Sequence, residues 1–336
     1  MIFILITTTF LLSARLTHYF SHSKTVLYRV DEPNLRSLHQ QPTPLNGGIA
    51  ILVAYFINSL ALSGLSVFFF PIIWIIISCL SIAIVSFIDD CYTISALPRL
   101  IIHFLAALLF LWQTDLWLTQ LPFLSWDMPN SLKIIISLLF IVWMVNLYNF
   151  MDGMDGFAGG MAVIGFGTFA LLGGLSQQWL FMYFNLLLVM ACSGFLLFNF
   201  PPAQIFMGDV GSSSLGFLAA TFSLWGEHLH IFPLWIALLI FSPFIVDATI
   251  TLLKRLVRKE KFWLPHKSHY YQRLVQLGWG HKRTVLWEYS LMFACSISAI
   301  IAIKLPPIGQ LTLLIIWGII YLIIMYLIDN KEIKTK

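Results

Sequence analysis

Charge is what this sequence has least of. Only 10% of its 336 residues are Asp, Glu, Lys or Arg, against about 25% in soluble domains. With 59% hydrophobic residues and a mean hydropathy of +0.88, that scarcity excludes a soluble enzyme and a disordered chain. Cysteine is sparse too. Cys79, Cys91, Cys192 and Cys295 show no CxxC or Cys/His pairing, which excludes a disulfide-stapled secreted module, and three of them sit inside apolar runs as small buried hydrophobes. No GxxxxGK[ST] loop, no HExxH, no internal repeat and no low-complexity stretch occurs. The apolar runs are continuous rather than alternating, so a transmembrane β-barrel is excluded as well. What remains is an all-α, polytopic integral membrane protein, a single domain over residues 1–336.

Eleven apolar segments, at 1–19, 47–65, 70–88, 100–114, 132–149, 157–176, 179–198, 213–227, 231–252, 284–303 and 310–328, are candidates for transmembrane helices. A full crossing takes roughly 20 residues, and the segments at 100–114 and 213–227 are short of that. The N-terminus lacks a basic region and a small-residue cleavage site, so it reads as a retained first helix. Eleven spans place loops 20–46, 89–99, 150–156, 199–212, 253–283 and the C-terminal tail on one side. Counting Arg15 at the end of the first span, that side carries 17 of the 19 Lys and Arg residues, leaving only Lys133 and Lys304 opposite. The positive-inside rule then predicts an outside N-terminus and a cytoplasmic C-terminus.

The few acidic residues cluster. Asp115, Asp127 and Glu227 read as solvated charges on the outer side. Asp89, Asp90, Asp152, Asp155, Asp209 and Asp247 fall at the inner ends of helices. An isolated aspartate at membrane depth costs roughly 2.5–3.5 kcal/mol, so six on one face predict a shared cation or a polar substrate; capping or snorkelling is the alternative for any one of them.

Three stretches carry the chemistry. In the first, Asn146, Asn149, Asp152 and Asp155 recur every third residue. They share one helical face if the helix continues, while Gly153 and Gly156 break it and let a ligand approach the backbone. Amides and carboxylates at that spacing suit a base, a ribose or a sugar. The second runs from Asn199 through Pro201, Pro202, Phe206, Gly208 and Asp209 to Ser212–Ser214, a turn ending where a helix begins. Free amides and hydroxyls there make either an anion site or a simple cap, and a carboxylate beside them suits Mg²⁺, which binds through one or two carboxylates plus substrate phosphates. The third is the basic loop from Lys254 to Arg283. His266 and His269 form a His-x-x-His pair without the further ligands of a zinc site. A polyanion-binding loop using Arg273 and the histidines fits better, with a headgroup-touching topology loop as the alternative for the lysines. Nucleic-acid binding is not expected, because no folded domain lifts these residues off the membrane.

In this order the stretches resemble the polyprenyl-phosphate N-acetylhexosamine-1-phosphate transferases, a superfamily of glycosyltransferase family 4 type. The resemblance covers residues 33–274: PNLRSLHQQPTPLNGG (33–48), FIDD with LPRL following (87–100), NLYNFMDGMDGFAGG (146–160), NFPPAQIFMGDVGSSSLGF (199–217), SPFIVDATITLLKR (242–255) and HKSHYYQRL (266–274). The last is most similar to the O-antigen-initiating branch that uses UDP-linked 6-deoxy-N-acetylhexosamines, N-acetylfucosamine especially. Leu45 and Ser86 depart from the residues common in relatives.

The resemblance implies an enzyme of the bacterial cytoplasmic (inner) membrane with its active site facing the cytoplasm. It would join a UDP-N-acetylhexosamine to undecaprenyl phosphate as a polyprenyl diphospho-sugar, releasing UMP, with Mg²⁺ or Mn²⁺, as the first step of O-antigen or a related cell-envelope glycan. It implies catalytic roles for Asp89, Asp90, Asp209, His266 and His269. Asp209, with Asp89 or Asp90 as alternatives, would hold the metal. Thr43, Asn146, Asn149, Asp152, Asp155, Asn199, Phe206 and Arg273 would bind substrate, Phe206 by stacking on uracil. A homodimer stays open. The other readings are a UDP-GlcNAc-1-phosphate transferase, a phospho-N-acetylmuramoyl-pentapeptide transferase and, outside the enzymes, a lipid or solute transporter, which would be expected to show a repeat and midplane carboxylates.

Overall fold

The computed structural model describes residues 1–22, 29–33, 38, 41–65, 70–92, 94–119, 128–261 and 266–335, so parts of loops 20–46 and 253–283, together with Asp127, lie outside the described residues. Helices α1 (Ile2–His22), α2 (Gly47–Leu65), α3 (Phe70–Tyr92), α4 (Ala96–Thr114), α5 (Asn130–Phe150), α6 (Phe157–Leu175), α7 (Trp179–Asn199) and α8 (Gly208–His228) are followed by the short α9 (Leu234–Ile240), α10 (Ser242–Val257) and α11 (Tyr270–Leu274), then α12 (Gly280–Ala302) and α13 (Pro307–Thr335). A two-residue antiparallel pairing of β1 (Val30–Asp31) with β2 (Thr43–Pro44) is the sheet content among the described residues.

All eleven apolar segments are helical. Nine helical stretches among the described residues are long and apolar enough to span a bilayer. The segment at 100–114 gains length because α4 begins at Ala96 and runs for 19 residues. The segment at 231–252 is not one rod: α9 and α10 meet at an 81° bend. Pro243 lies in the first turn of α10, where a missing N–H costs nothing. The Ser242 hydroxyl donates to the Leu239 carbonyl at 2.7 Å, satisfying an acceptor left over at the end of α9.

The segment at 213–227 belongs to α8, whose residues from Val210 to Glu227 are all buried. Helix α8 is rich in Gly, Ala and Ser, and α2, α3, α5, α6 and α9 pack around it. Small residues let backbones approach closely in a membrane bundle. A Cβ on Gly48 of α2 would collide with the Gly211 backbone, so the two helices touch there main chain to main chain. Glu227, expected to be solvated, is instead buried and accepts a hydrogen bond from the Thr119 hydroxyl at 3.0 Å. A crowded helix of small residues at the centre thus carries Asp209 at one end of the bundle.

Candidate active site

The loop before α2 and the turn before α8 are joined by their backbones. The Phe206 N–H donates to the Pro44 carbonyl (2.7 Å), Gly47 to Phe206 (3.0 Å) and Gly48 to Met207 (2.8 Å). Gly208 follows with φ +73°, and a Cβ there would lie 2.8 Å from the Leu45 carbonyl oxygen and 3.2 Å from the Asp90 carboxylate. Glycine therefore lets the turn press against the end of α3. Asp90 accepts the backbone N–H groups of Asp209 and Val210, so a carboxylate from α3 caps the positive end of α8.

Asp89, one residue away, is claimed by Arg99 of α4. The guanidinium pairs with the Asp89 carboxylate and, at 3.0 Å, with Asp209. Asp89 also accepts the Ile94 N–H at 2.6 Å. Asn149 donates its amide to the Ser212 hydroxyl at 3.2 Å and lies within hydrogen-bonding reach of Asp209.

The expected helical face from Asn146 to Asp155 is cut short, because α5 ends at Phe150. Asn146 donates back to its own helix, to the Val142 carbonyl at 2.7 Å. Asp155 and Asn199 stitch the following loop to the turn before α8. Asp155 accepts the Ala203 N–H (3.0 Å) and lies 2.9 Å from His281 of α12. Asn199 accepts the Gly156 N–H (2.9 Å) and donates to the Ile205 carbonyl (2.8 Å). Replacing Asn199 by alanine leaves a buried donor and a buried acceptor unmet, and the expected loss is about 1–3 kcal/mol of stability. It should appear as a lower melting temperature of the purified protein, and an unchanged one would count against the stitching role.

These pieces enclose a cavity of about 430 Å³ at one end of the bundle. Asp90, Asn149, Asp152, Asp155, Asn199, Phe206, Asp209 and His266 line it, with Asp31, Gln272 and His281 beside them. Every one of these residues comes from or borders an expected inner-side loop. An adjoining cavity of about 510 Å³ shares Leu38, Asp155, Phe206 and His281 with it and holds Thr43, whose hydroxyl donates to the Gln41 carbonyl at 3.0 Å.

Asp89 and Asn146 do not line the main cavity, and two further expected residues face elsewhere. Arg273 pairs with Asp329 (2.7 Å) and Glu332 (2.6 Å) of α13 and lies over the Tyr270 ring. His269 is buried, with Nδ1 3.3 Å from Asp247. Asp247 itself turns away from the other aspartates and accepts the backbone N–H groups of Tyr270 (2.9 Å) and Tyr271 (3.0 Å), which fixes α11 onto α10. Sequence reasoning missed Arg99, Gln272 and His281. The only signal for Arg99 was its position ten residues after Asp89, in the quoted LPRL.

Electrostatics set the character of the main cavity. Burial raises the Asp152 carboxyl well above its usual range, and the charges of Asp209 and Asp90 push it the same way. Burial lowers His266 to about 4, helped by His269 and Arg255, so its ring is neutral at pH 7 and joins Ser268 by a hydrogen bond of 2.8 Å. A carboxyl with a raised folded-state value costs stability wherever the unfolded chain would ionise it. For Asp152 the cost is absent below about 3.8 and grows as pH rises above it. In buffer with a chelator, Asp152→Asn is therefore expected to melt higher than the native protein at pH 8, with the difference closing towards pH 4. An equal melting temperature at both pH values would contradict the crowding.

The donor set fits Mg²⁺. Asp90, Asp152 and Asp209 offer hard oxygens to one cavity, and their mutual repulsion is what a divalent cation relieves. No group of three His, Cys, Asp or Glu among the described residues could hold a metal alone. Mg²⁺ characteristically binds through one or two carboxylates plus substrate phosphates.

The sequence is similar to those of known proteins. Residues 72–227 match the model of glycosyl transferase family 4. The chain is 32% identical over 277 residues to the probable undecaprenyl-phosphate N-acetylglucosaminyl 1-phosphate transferase of Bacillus subtilis, covering 81% of this chain and 76% of the relative. It is 27% identical over 282 residues to the phospho-N-acetylmuramoyl-pentapeptide-transferase of Staphylococcus epidermidis (74% and 82% covered). It is 28% identical over 293 residues to the enzyme of that name from Lactobacillus gasseri (82% and 85% covered). With these matches spanning α3 to α8 and beyond, the chain belongs to glycosyl transferase family 4.

Proposed function

We propose that the protein transfers an N-acetylhexosamine 1-phosphate from a UDP-sugar to undecaprenyl phosphate, releasing UMP, with its cavity at the cytoplasmic face of the bacterial inner membrane. The observation that carries this reading is the convergence of aspartates, an asparagine pair, an aromatic ring and a neutral histidine in one cavity at one end of an apolar bundle. The names of the relatives support the lipid acceptor and the phosphosugar donor, and the distribution of Lys and Arg supports the orientation.

The chemistry needs little from a base. The acceptor is a phosphate monoester with a second pKa of about 6, so at pH 7 it is mostly dianionic. An oxygen of the lipid phosphate attacks the β-phosphorus of the donor. A new P–O bond forms, the bond from the β-phosphorus to the bridging oxygen breaks, and UMP leaves with that oxygen. Catalysis is then positioning and charge neutralisation. Bound at Asp209 with Asp90 or Asp152, Mg²⁺ would supply charge neutralisation on the diphosphate. Arg99 keeps Asp89 and Asp209 in register, and Asn149 braces Asp209 from the side of α5. Asp155 and Asn199 hold the two loops that would enclose the nucleotide-sugar, with Phe206 as the stacking surface for uracil. His266, neutral, is a hydrogen-bond partner for sugar or phosphate rather than a fixed cation.

The finer reading is a 6-deoxy donor of the N-acetylfucosamine type and a role in starting O-antigen or a related envelope glycan, supported by the HKSHYYQRL loop. A UDP-GlcNAc donor is the second reading, supported by the Bacillus relative. Membranes given undecaprenyl phosphate and a panel of UDP-sugars are expected to release UMP fastest with UDP-N-acetylfucosamine. Turnover of UDP-GlcNAc alone would select the second reading, and no UMP from any sugar would contradict the enzyme reading.

A further inference from the structure

On the far side of α11 lies a second cavity, of about 440 Å³, that shares no lining residue with the catalytic one. The short helix separates them: Gln272 faces the first cavity, while Tyr270, Arg273 and Gln276 face the second. Five cationic side chains line it, Lys254, Arg255, Arg258, Lys267 and Arg273, against three carboxylates.

Those carboxylates are already engaged. Asp329 takes Lys254 at 2.9 Å and Arg273 at 2.7 Å, Glu332 takes Arg273, and Glu260 takes Arg255 at 2.7 Å. The surplus is therefore positive. It includes Arg258, exposed at the end of α10 with no ion pair among the described residues. Inside the cavity wall, Arg255 Nε is buried without a hydrogen-bond partner. The rest of that guanidinium is held by Glu260 and the Lys261 carbonyl, which fixes its charge in the wall of the cavity. The helices that build the cavity also carry apolar side chains into the lipid. Leu256 and Val257 of α10 are exposed, as are Tyr326 and Leu327 of α13.

A cationic pocket whose walls merge into lipid-facing helices suits an amphiphile with an anionic head. We propose that this second cavity binds the phosphate headgroup of an anionic membrane phospholipid, separately from the catalytic cavity. Phosphate oxygens would accept from Arg258, and the acyl chains would lie along the exposed faces of α10 and α13. Basic pockets between membrane helices recognise anionic headgroups in this way. The proposal does not depend on the transferase reading, because its test reads lipid binding and not turnover.

The experiment is native mass spectrometry of the purified, delipidated full chain titrated with phosphatidylglycerol. Phosphatidylcholine, inorganic phosphate and undecaprenyl phosphate form separate arms. Phosphatidylglycerol is expected to bind tighter than phosphatidylcholine and to resist millimolar inorganic phosphate. Arg258→Gln should weaken it about fivefold, in line with about 1 kcal/mol per surface cation, and Arg258→Glu further, while Arg258→Lys retains most of it. These exposed substitutions leave the buried core intact, and an unchanged melting temperature checks that. Equal binding of the two phospholipids, an Arg258→Glu variant that binds phosphatidylglycerol normally, displacement by inorganic phosphate, or loss of undecaprenyl phosphate binding in parallel with phosphatidylglycerol would each overturn the proposal.

Discussion

Asparagine in place of Asp209 is expected to lower Mg²⁺-dependent transfer by a factor on the order of 10²–10³, the usual consequence of deleting one electrostatic contact to a reacting centre. The fold should survive the change. The side chain sits at the start of α8, where an asparagine oxygen can still accept from Arg99 and where Asp90 continues to cap the helix. What is lost is a full negative charge facing the cavity. Removing it also relieves Asp152 of its strongest repelling neighbour, so the metal-free variant should melt no lower than the native protein. Loss of turnover with undiminished stability separates a chemical role from a structural one. Near-normal turnover at the same Mg²⁺ concentration would remove Asp209 from the account.

Arg99→Met is the second large effect, an expected loss of about 10²-fold. One guanidinium answers both Asp89 and Asp209, and no other cation pairs with either among the described residues. Methionine keeps much of the volume and removes the charge. Arg99→Lys restores the charge but not the planar fork that reaches two carboxylates at once, so it should recover part of the activity and not all of it. The measurement is kcat/KM for the lipid acceptor in the three proteins. Equal values would mean that Arg99 only completes the positive-inside pattern. With both Asp89 oxygens engaged, by Arg99 and by the Ile94 N–H, the structure favours an orienting role for Asp89 over that of a free base.

The fold was largely legible because the apolar segments are long and the polar ones short. The exceptions have local causes. The break between α9 and α10 falls beside Pro243, but a proline in an apolar run does not tell how far the chain turns. The nature of α8 was hidden because its serines lower its hydropathy while their hydroxyls are absorbed within the bundle, as when Ser223 donates to Ala219 at 2.6 Å.

The site was legible where polar groups and one aromatic ring gathered in the short segments between helices or at helix ends. Asp90, Asn149, Asp152, Phe206, Asp209 and His266 all reach the cavity. Arg273 and His269 were misdirected by their motif, since their partners, Asp329, Glu332 and Asp247, lie 22 or more residues away in sequence and no local pattern pairs them. Arg99 was hidden for the opposite reason. A single arginine in the first turn of a membrane helix looks like any other topology charge until the tertiary structure sets it between two aspartates.

The central claim is that a phosphosugar, and not a bare sugar, crosses to the lipid. UDP-sugar labelled with ³²P on the β-phosphorus, incubated with the purified protein, Mg²⁺ and undecaprenyl phosphate, tests it directly. The account predicts label in the lipid product and unlabelled UMP in solution, both dependent on acceptor and metal. Label recovered in soluble UDP, with unlabelled lipid product, would contradict it.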